Sequence, residues 1–274
     1  MKRVVVIFLV LILSMSVYAN KMRIITPYVG VLNSNLEVDG GGHLMKLDDS
    51  GLMEGLYYMC IDPSKRQWNA FVYGSQDVNS SDILGTHIIY DHYFKHTETG
   101  RYVVGAGFEY LQINTSADVL EGLPNFDMTN KISAPYLRAG KYFNFKQNLN
   151  QYMAFLWGGY ERDIIRGDIG FDIPQIPGMP VIPGMPTSID QSIESDYNYA
   201  LLGLTLKATF MHFLELKVKY HRKFSLDDED SFNVLSVMTN IYLNRKWGLS
   251  YRYKDMEETF GRNSYHIGGV VYVF

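Results

Sequence analysis

The stretch HFLELKVKYHRKF, residues 212–224, alternates between two sets of side chains that belong in different solvents. His212, Leu214, Leu216, Val218, Tyr220, Arg222 and Phe224 take the even positions. Phe213, Glu215, Lys217, Lys219, His221 and Lys223 take the odd ones. Successive residues of a strand point to opposite faces, so this segment predicts a strand that is largely apolar on one side and densely ionic on the other. Such a strand belongs at a boundary between oil and water. Trp247, Leu249, Tyr251 and Tyr253 against Gly248, Ser250, Arg252 and Lys254 repeat the pattern. So do Tyr102, Val104, Ala106, Phe108 and Tyr110 against Arg101, Gly105, Gly107 and Glu109, and Leu84, Ile88, Tyr90 and Phe94 against His87, Asp91 and Lys95.

Alternation alone does not say which face is inside. A soluble sandwich or lipocalin-like barrel would turn the ionic face outward; a transmembrane barrel would turn it inward. Composition favours the second. Aromatic residues make up 14% of the chain, with 21 Tyr and 24 Gly, yet the mean hydropathy is only −0.10. Transmembrane barrels combine two-faced strands with aromatic girdles in this way. Period-2 alternation and turn residues predict about 12 strands, over 23–33, 51–61, 67–75, 83–95, 101–113, 132–145, 150–162, 196–209, 211–224, 231–243, 246–256 and 263–274. The connections between them are expected to alternate long and short throughout. The long set is 34–50, 76–82, 114–131, 163–195, 225–230 and 257–262; the short set includes 62–66, 96–100, 146–149 and 244–246. Lys141 and Lys207 fit neither face, which predicts a bulge or register change in their strands.

Both ends of the chain fit the same picture. Residues 1–19, MKRVVVIFLVLILSMSVYA, carry Lys2 and Arg3, an apolar run from Val4 to Leu13 and a small-residue site ending at Ala19. That is the pattern of a cleaved secretory signal peptide, and the run is too short for a spanning helix of about 20 apolar residues. The remainder, 20–274, reads as one barrel domain. Cys60 is the only cysteine, so an exported chain of this kind has no disulfide framework, and the residue reads as a small buried hydrophobe. A net charge of −4 excludes the basic footprint of a nucleic-acid binder. At the other end, SYHIGGVVYVF places Val270, Tyr272 and Phe274 on one face. This tail resembles the C-terminal signature of Gram-negative bacterial outer-membrane β-barrel proteins. The resemblance is at superfamily level. It implies an all-β, single antiparallel up-and-down transmembrane barrel with a polar lumen and long extracellular loops. It also implies a place in the bacterial outer membrane with both termini periplasmic, and Phe274, Tyr272 and Val270 as an assembly signal. The implied partners are outer-membrane lipids, the barrel-assembly machinery acting through the C-terminal strand, and small polar solutes.

One long connection is unusual. IPGMP occurs at 176–180 and again at 182–186, and Pro174, Pro177, Pro180, Pro183 and Pro186 are five of the nine prolines. Proline lacks the N–H that a central strand donates, so 163–195 reads as a Pro-rich extracellular loop, either a tolerated insertion or a binding element.

For chemistry, no GxSxG, P-loop, HExxH or CxxC pattern occurs, and no cofactor, metal site or catalytic set is read from the sequence. Asp91-His92 is an acid–imidazole pair, but it falls near the short-turn end of its strand. Ser264 and His266 lie two apart on one face, a remote basis for an outer-leaflet lipid hydrolase. The leading expectation rests on the ionic face. His87, Asp91, Arg101, Glu109, Arg138, Glu161, Glu215, Lys217, Lys219, His221, Arg252 and Lys254 are the expected lumen-lining residues. They suit a passive, porin-like pore for small polar solutes. The alternative is a surface-exposed structural or binding, adhesin-like barrel without transport.

Overall fold

Alternation of the kind seen at 212–224 leaves each strand needing partners on both edges, because an unpaired edge in hydrocarbon strands its N–H and C=O groups at several kcal/mol each. The chain meets that need by closing. In the computed structural model, which describes residues 22–39, 44–62, 65–78, 81–97, 100–115, 126–172, 188–227, 230–258 and 261–274, twelve strands form one closed antiparallel barrel. They are β1 (Met22–Asp39), β2 (Leu44–Asp62), β3 (Arg66–Val78), β4 (Ser81–Thr97), β5 (Gly100–Thr115) and β6 (Phe126–Gln147), followed by β7 (Asn150–Asp172), β8 (Ser188–Phe210), β9 (Leu214–Ser225), β10 (Phe232–Tyr242), β11 (Trp247–Glu258) and β12 (Gly261–Val273). Each pairs with its sequence neighbours, and β12 pairs with β1 from Ile24↔Val273 to Leu36↔Gly261. Reciprocal backbone bonds between Arg23 and Phe274, at 3.1 and 3.0 Å, complete that seam.

The outer face is apolar. Val104, Phe108, Leu137, Leu156, Leu202, Leu204, Leu206, Leu216, Val218 and Leu249 are all exposed there. Near the short-turn end this band meets an aromatic rim: Trp247 stands 4.6 Å from Tyr272, Tyr272 stacks on Phe274 at 5.6 Å, and Phe94 stacks on Tyr102 at 6.1 Å. The five connections at that end are tight. Asn148, Met211 and His212 adopt positive φ to turn the chain there, and the Asn150 Oδ1 accepts from the Met211 N–H at 3.3 Å.

The inward face is more aromatic than the charge pattern predicts. Tyr93, Tyr136, Tyr142, Phe155, Trp157 and Tyr199 pack as one buried cluster on the β4–β8 side, and Tyr28, Phe71, Tyr73 and Tyr265 as another on the β1–β3 and β12 side. Glycines make room for the flat rings. A Cβ on Gly203 would lie 2.2 Å from the Trp157 ring, and one on Gly107 would lie 2.0 Å from the ring of Tyr136. Ring over glycine on the neighbouring strand is a known way of covering a residue without a side chain. Cys60 is buried as a small hydrophobe would be, but on the outward face: Met59 and Ile61 on either side of it line the interior, and Cys60 is level with Trp68 of β3.

Three expectations need correction. First, loop length does not sort the two ends throughout. Connections 79–80 and 259–260 are as short as the turns at the opposite end, because β3, β4, β11 and β12 run on towards each other. Second, the strands around 163–195 extend far beyond their expected limits. β6 begins at Phe126, β7 continues to Asp172 and β8 starts at Ser188. Alternation is lost in this extension, where the exposed Arg162, Arg166 and Glu194 share the strands with the buried Ile165, although pairing continues, from Gln151↔Thr209 to Asp172↔Ser188. The five loop prolines lie outside the described residues, as does the 1–19 segment. Third, no register change marks Lys141 or Lys207. The ladders of β6 and β8 with their neighbours keep one register, and the shifts fall instead between Ser75 and Val78 and between Phe94 and Thr97. Lys141 sits on the outer side, its Nζ 5.2 Å from the Tyr102 ring and 5.0 Å from that of Phe143. Lys207 turns inward and pairs with Glu215 at 2.6 Å.

Candidate functional site: the barrel interior

Eight-stranded barrels are filled by side chains, whereas those of 16–18 strands leave an aqueous channel. At twelve strands the outcome depends on which side chains point inward. On β9 these are Glu215, Lys217, Lys219, His221 and Lys223, opposite in sense to the exposed Leu216, Val218, Tyr220 and Phe224. On β11 they include Ser250, Arg252 and Lys254.

Ion pairs span the space between strands. Arg138 of β6 meets Asp91 of β4 through Nε at 3.0 Å and Nη2 at 2.8 and 2.6 Å, with both side chains buried. The Glu161 carboxylate of β7 pairs with Lys223 of β9, which also reaches Asp163 at 3.4 Å. Lys254 of β11 donates to Glu109 of β5 at 3.0 Å. In a ring of twelve strands β5 and β11 are six steps apart in either direction, so this last contact crosses the barrel along a diameter.

That diameter divides the interior. A cavity of about 60 Å³ lies on one side, lined by His221, Lys223, Asp163, Ile165 and Met256. A cavity of about 180 Å³ lies on the other, reaching Ile61, Gln67 and Met153 near the short-turn end. Glu109 and Lys254, with Tyr73 and Val234, border both. All twelve residues named from the sequence turn into this interior. His87 bonds the Tyr136 hydroxyl at 2.8 Å, Arg101 lies 3.7 Å over the Tyr93 ring, and Arg252 lies 4.1 Å over that of Tyr57. His221 is buried beside Trp157, with ring centroids 5.5 Å apart. Asp163, Lys207 and the small polar side chains Ser236, Asn240 and Ser250 belong to the same network and were not in the sequence set. Asp163 could have been found from Glu161, two positions earlier on the same face, had the strand been extended past 162.

Other candidates stay apart. Ser264 and His266 share the outer face, but the His266 Nδ1 is bonded to the Tyr251 hydroxyl at 2.8 Å, and the carboxylate opposite Ser264, Asp255, is held by Arg262 at 2.8 Å. No hydrogen bond joins Ser264 to His266 among the described residues. His92 is exposed and Asp91 is committed to Arg138, so they do not act as a pair. No group of His, Cys, Asp and Glu among the described residues could hold a metal ion.

In structure the chain is similar to the translocator domain of the autotransporter NalP from Neisseria meningitidis, with a TM-score of 0.57 at 11% identity over 95% of this chain and 91% of that one. The fold is that of an outer-membrane β-barrel. Similarity to the KdgM porin gives a TM-score of 0.47 at 11% identity, covering 91% of this barrel and 99% of that chain. For the toluene transporter TodX of Pseudomonas putida the values are 0.43 and 8%, over 95% and 91%. No family model and no curated protein matches the sequence.

Proposed function

We propose that this protein is a bacterial outer-membrane barrel with both termini on the periplasmic side, forming a narrow conduit for small polar solutes that is closed at rest by the Glu109–Lys254 pair. One observation carries the reading: an ion pair on diametrically opposed strands, flanked by Tyr73 and Val234, stands between two cavities whose linings mix ionic and apolar side chains. A wall of that kind opens when one charge is removed, whereas a packed core would not. Export through the 1–19 signal and assembly through Val270, Tyr272 and Phe274 complete the proposal. The test is conductance in planar lipid bilayers. Wild-type protein is expected to show rare, small steps, and Glu109→Gln, checked for folding by its heat-modifiable gel mobility, should raise their frequency severalfold. If both proteins are folded and silent, the conduit is refuted. A second reading then stands, a closed barrel that acts at its surface, favoured by the raised β6–β8 wall.

A further inference from the structure

The inward faces of β9, β10 and β11 line up in rows. Lys217 of β9 is level with Met238 of β10, which is level with Arg252 of β11; one row on, Lys219 is level with Ser236 and Ser236 with Lys254. Residues two apart along a strand are about 7 Å apart, and alternate strands about 10 Å apart. Four cations therefore surround a patch roughly 7 by 10 Å, floored by a thioether and one small hydroxyl. All six side chains line the 180 Å³ cavity.

The carboxylates of that cavity are already committed. Asp91 is held by two nitrogens of Arg138, Glu215 by Lys207 at 2.6 Å, and Glu109 by Lys254 at 3.0 Å. Lys217, Lys219 and Arg252 have no carboxylate partner among the described residues. Arg252 rests on the Tyr57 ring and donates to the Met238 sulfur at 3.6 Å, and the Lys219 Nζ lies 5.3 Å from the centre of the Trp157 ring. Like charges confined together in a partly desolvated space repel one another, and buried charges are normally paired. The cavity holds room for several waters, each taking about 30 Å³, and hence for a compact oxyanion.

The geometry points to an anion-binding site on β9–β11, formed by Lys217, Lys219 and Arg252 with the Ser236 hydroxyl, for a solute bearing a phosphate or carboxylate group. The site deepens the conduit reading but does not need conduction, since a closed barrel would bind as well. It is tested by titrating inorganic phosphate, at constant ionic strength, into the full-length folded protein in detergent and recording the heat. Saturable binding is expected. The Lys217→Gln/Lys219→Gln protein should bind at least tenfold more weakly, while Arg166→Gln, on the exposed wall, should bind as the wild type does. Acetate in place of phosphate tells the two groups apart: weaker binding marks a phosphate site, and equal binding a carboxylate site. If the double variant fails to fold, Lys217→Gln alone should still weaken binding threefold or more. No saturable heat in the wild type, or unchanged affinity in the lysine variants, overturns the site. Silence in the bilayer experiment leaves it standing.

Discussion

At the scale of single residues, Asp91 shows what a buried charge commits a barrel to. Its side chain is fully buried and accepts three bonds from Arg138. Removing one partner of a buried pair leaves the other charge uncompensated, at about 3–5 kcal/mol. Asp91→Ala should therefore lose about that much folding free energy in urea titrations of the barrel in lipid vesicles. Exchanging both partners, as Asp91→Leu with Arg138→Met, should recover most of it, because an apolar pair of similar volume is often neutral. A single variant as stable as the wild type would mean that water, not Arg138, satisfies the carboxylate. Residue by residue, the sequence exposes charge but not its address. Lys207 and Lys141 look alike as lysines in half-apolar strands. One points inward because Glu215 waits on the next strand; the other points outward because Tyr102 and Phe143 offer ring faces on the outer wall. Those partners lie in other strands or depend on register, so local alternation cannot see them.

Strands were legible where they separate two environments and illegible where they do not. β9 could be read directly, since Leu216, Val218 and Tyr220 face one way and Lys217, Lys219 and His221 the other. The far half of β7 could not. Beyond Glu161 its outer face carries exposed ions, such as Arg166 paired with Glu194 at 2.9 Å, while Asp163 and the buried Ile165 still face the interior, so no polar–apolar alternation marks it. Interior rings such as Trp157 and Tyr199 were missed for a related reason: an inward aromatic spoils the polar–apolar alternation that a strand search counts. The clear case supplies its own test. Leu216→Arg places a charge on the outer band and should cost about 2–4 kcal/mol if it sits near the bilayer midplane. That loss would be read as reduced folded protein in gel-shift assays after refolding into vesicles. Lys217→Gln, one residue away, should fold almost as well as the wild type. Equal damage from the two would reverse the faces.

For the whole molecule, the decisive quantity is which end points out of the cell. The β7–β8 connection, at 173–187, and the β6–β7 turn, at 148–149, lie at opposite ends of the barrel. Protease added to intact cells is expected to cut between 173 and 187 and to spare 148–149, as fragment masses would show. Cutting only at the turn would invert the orientation. The same axis gives the height of the wall a meaning. β6, β7 and β8 are 22–23 residues long, while β9, β10, β11 and β12 are 11–13. β9 leaves β8 after Tyr199↔Ser225, so Ser188–Asn198 climbs on without it. The mouth is thus uneven, highest over β6–β8, raised again at β1 and β2 (18 and 19 residues) and low over β9–β11. At roughly 3.3 Å per residue, a difference of about ten residues amounts to roughly 30 Å measured along the strand. In the proposed membrane setting, the lowest step for an entering solute lies over β9–β11, above Lys217, Lys219 and Arg252 inside.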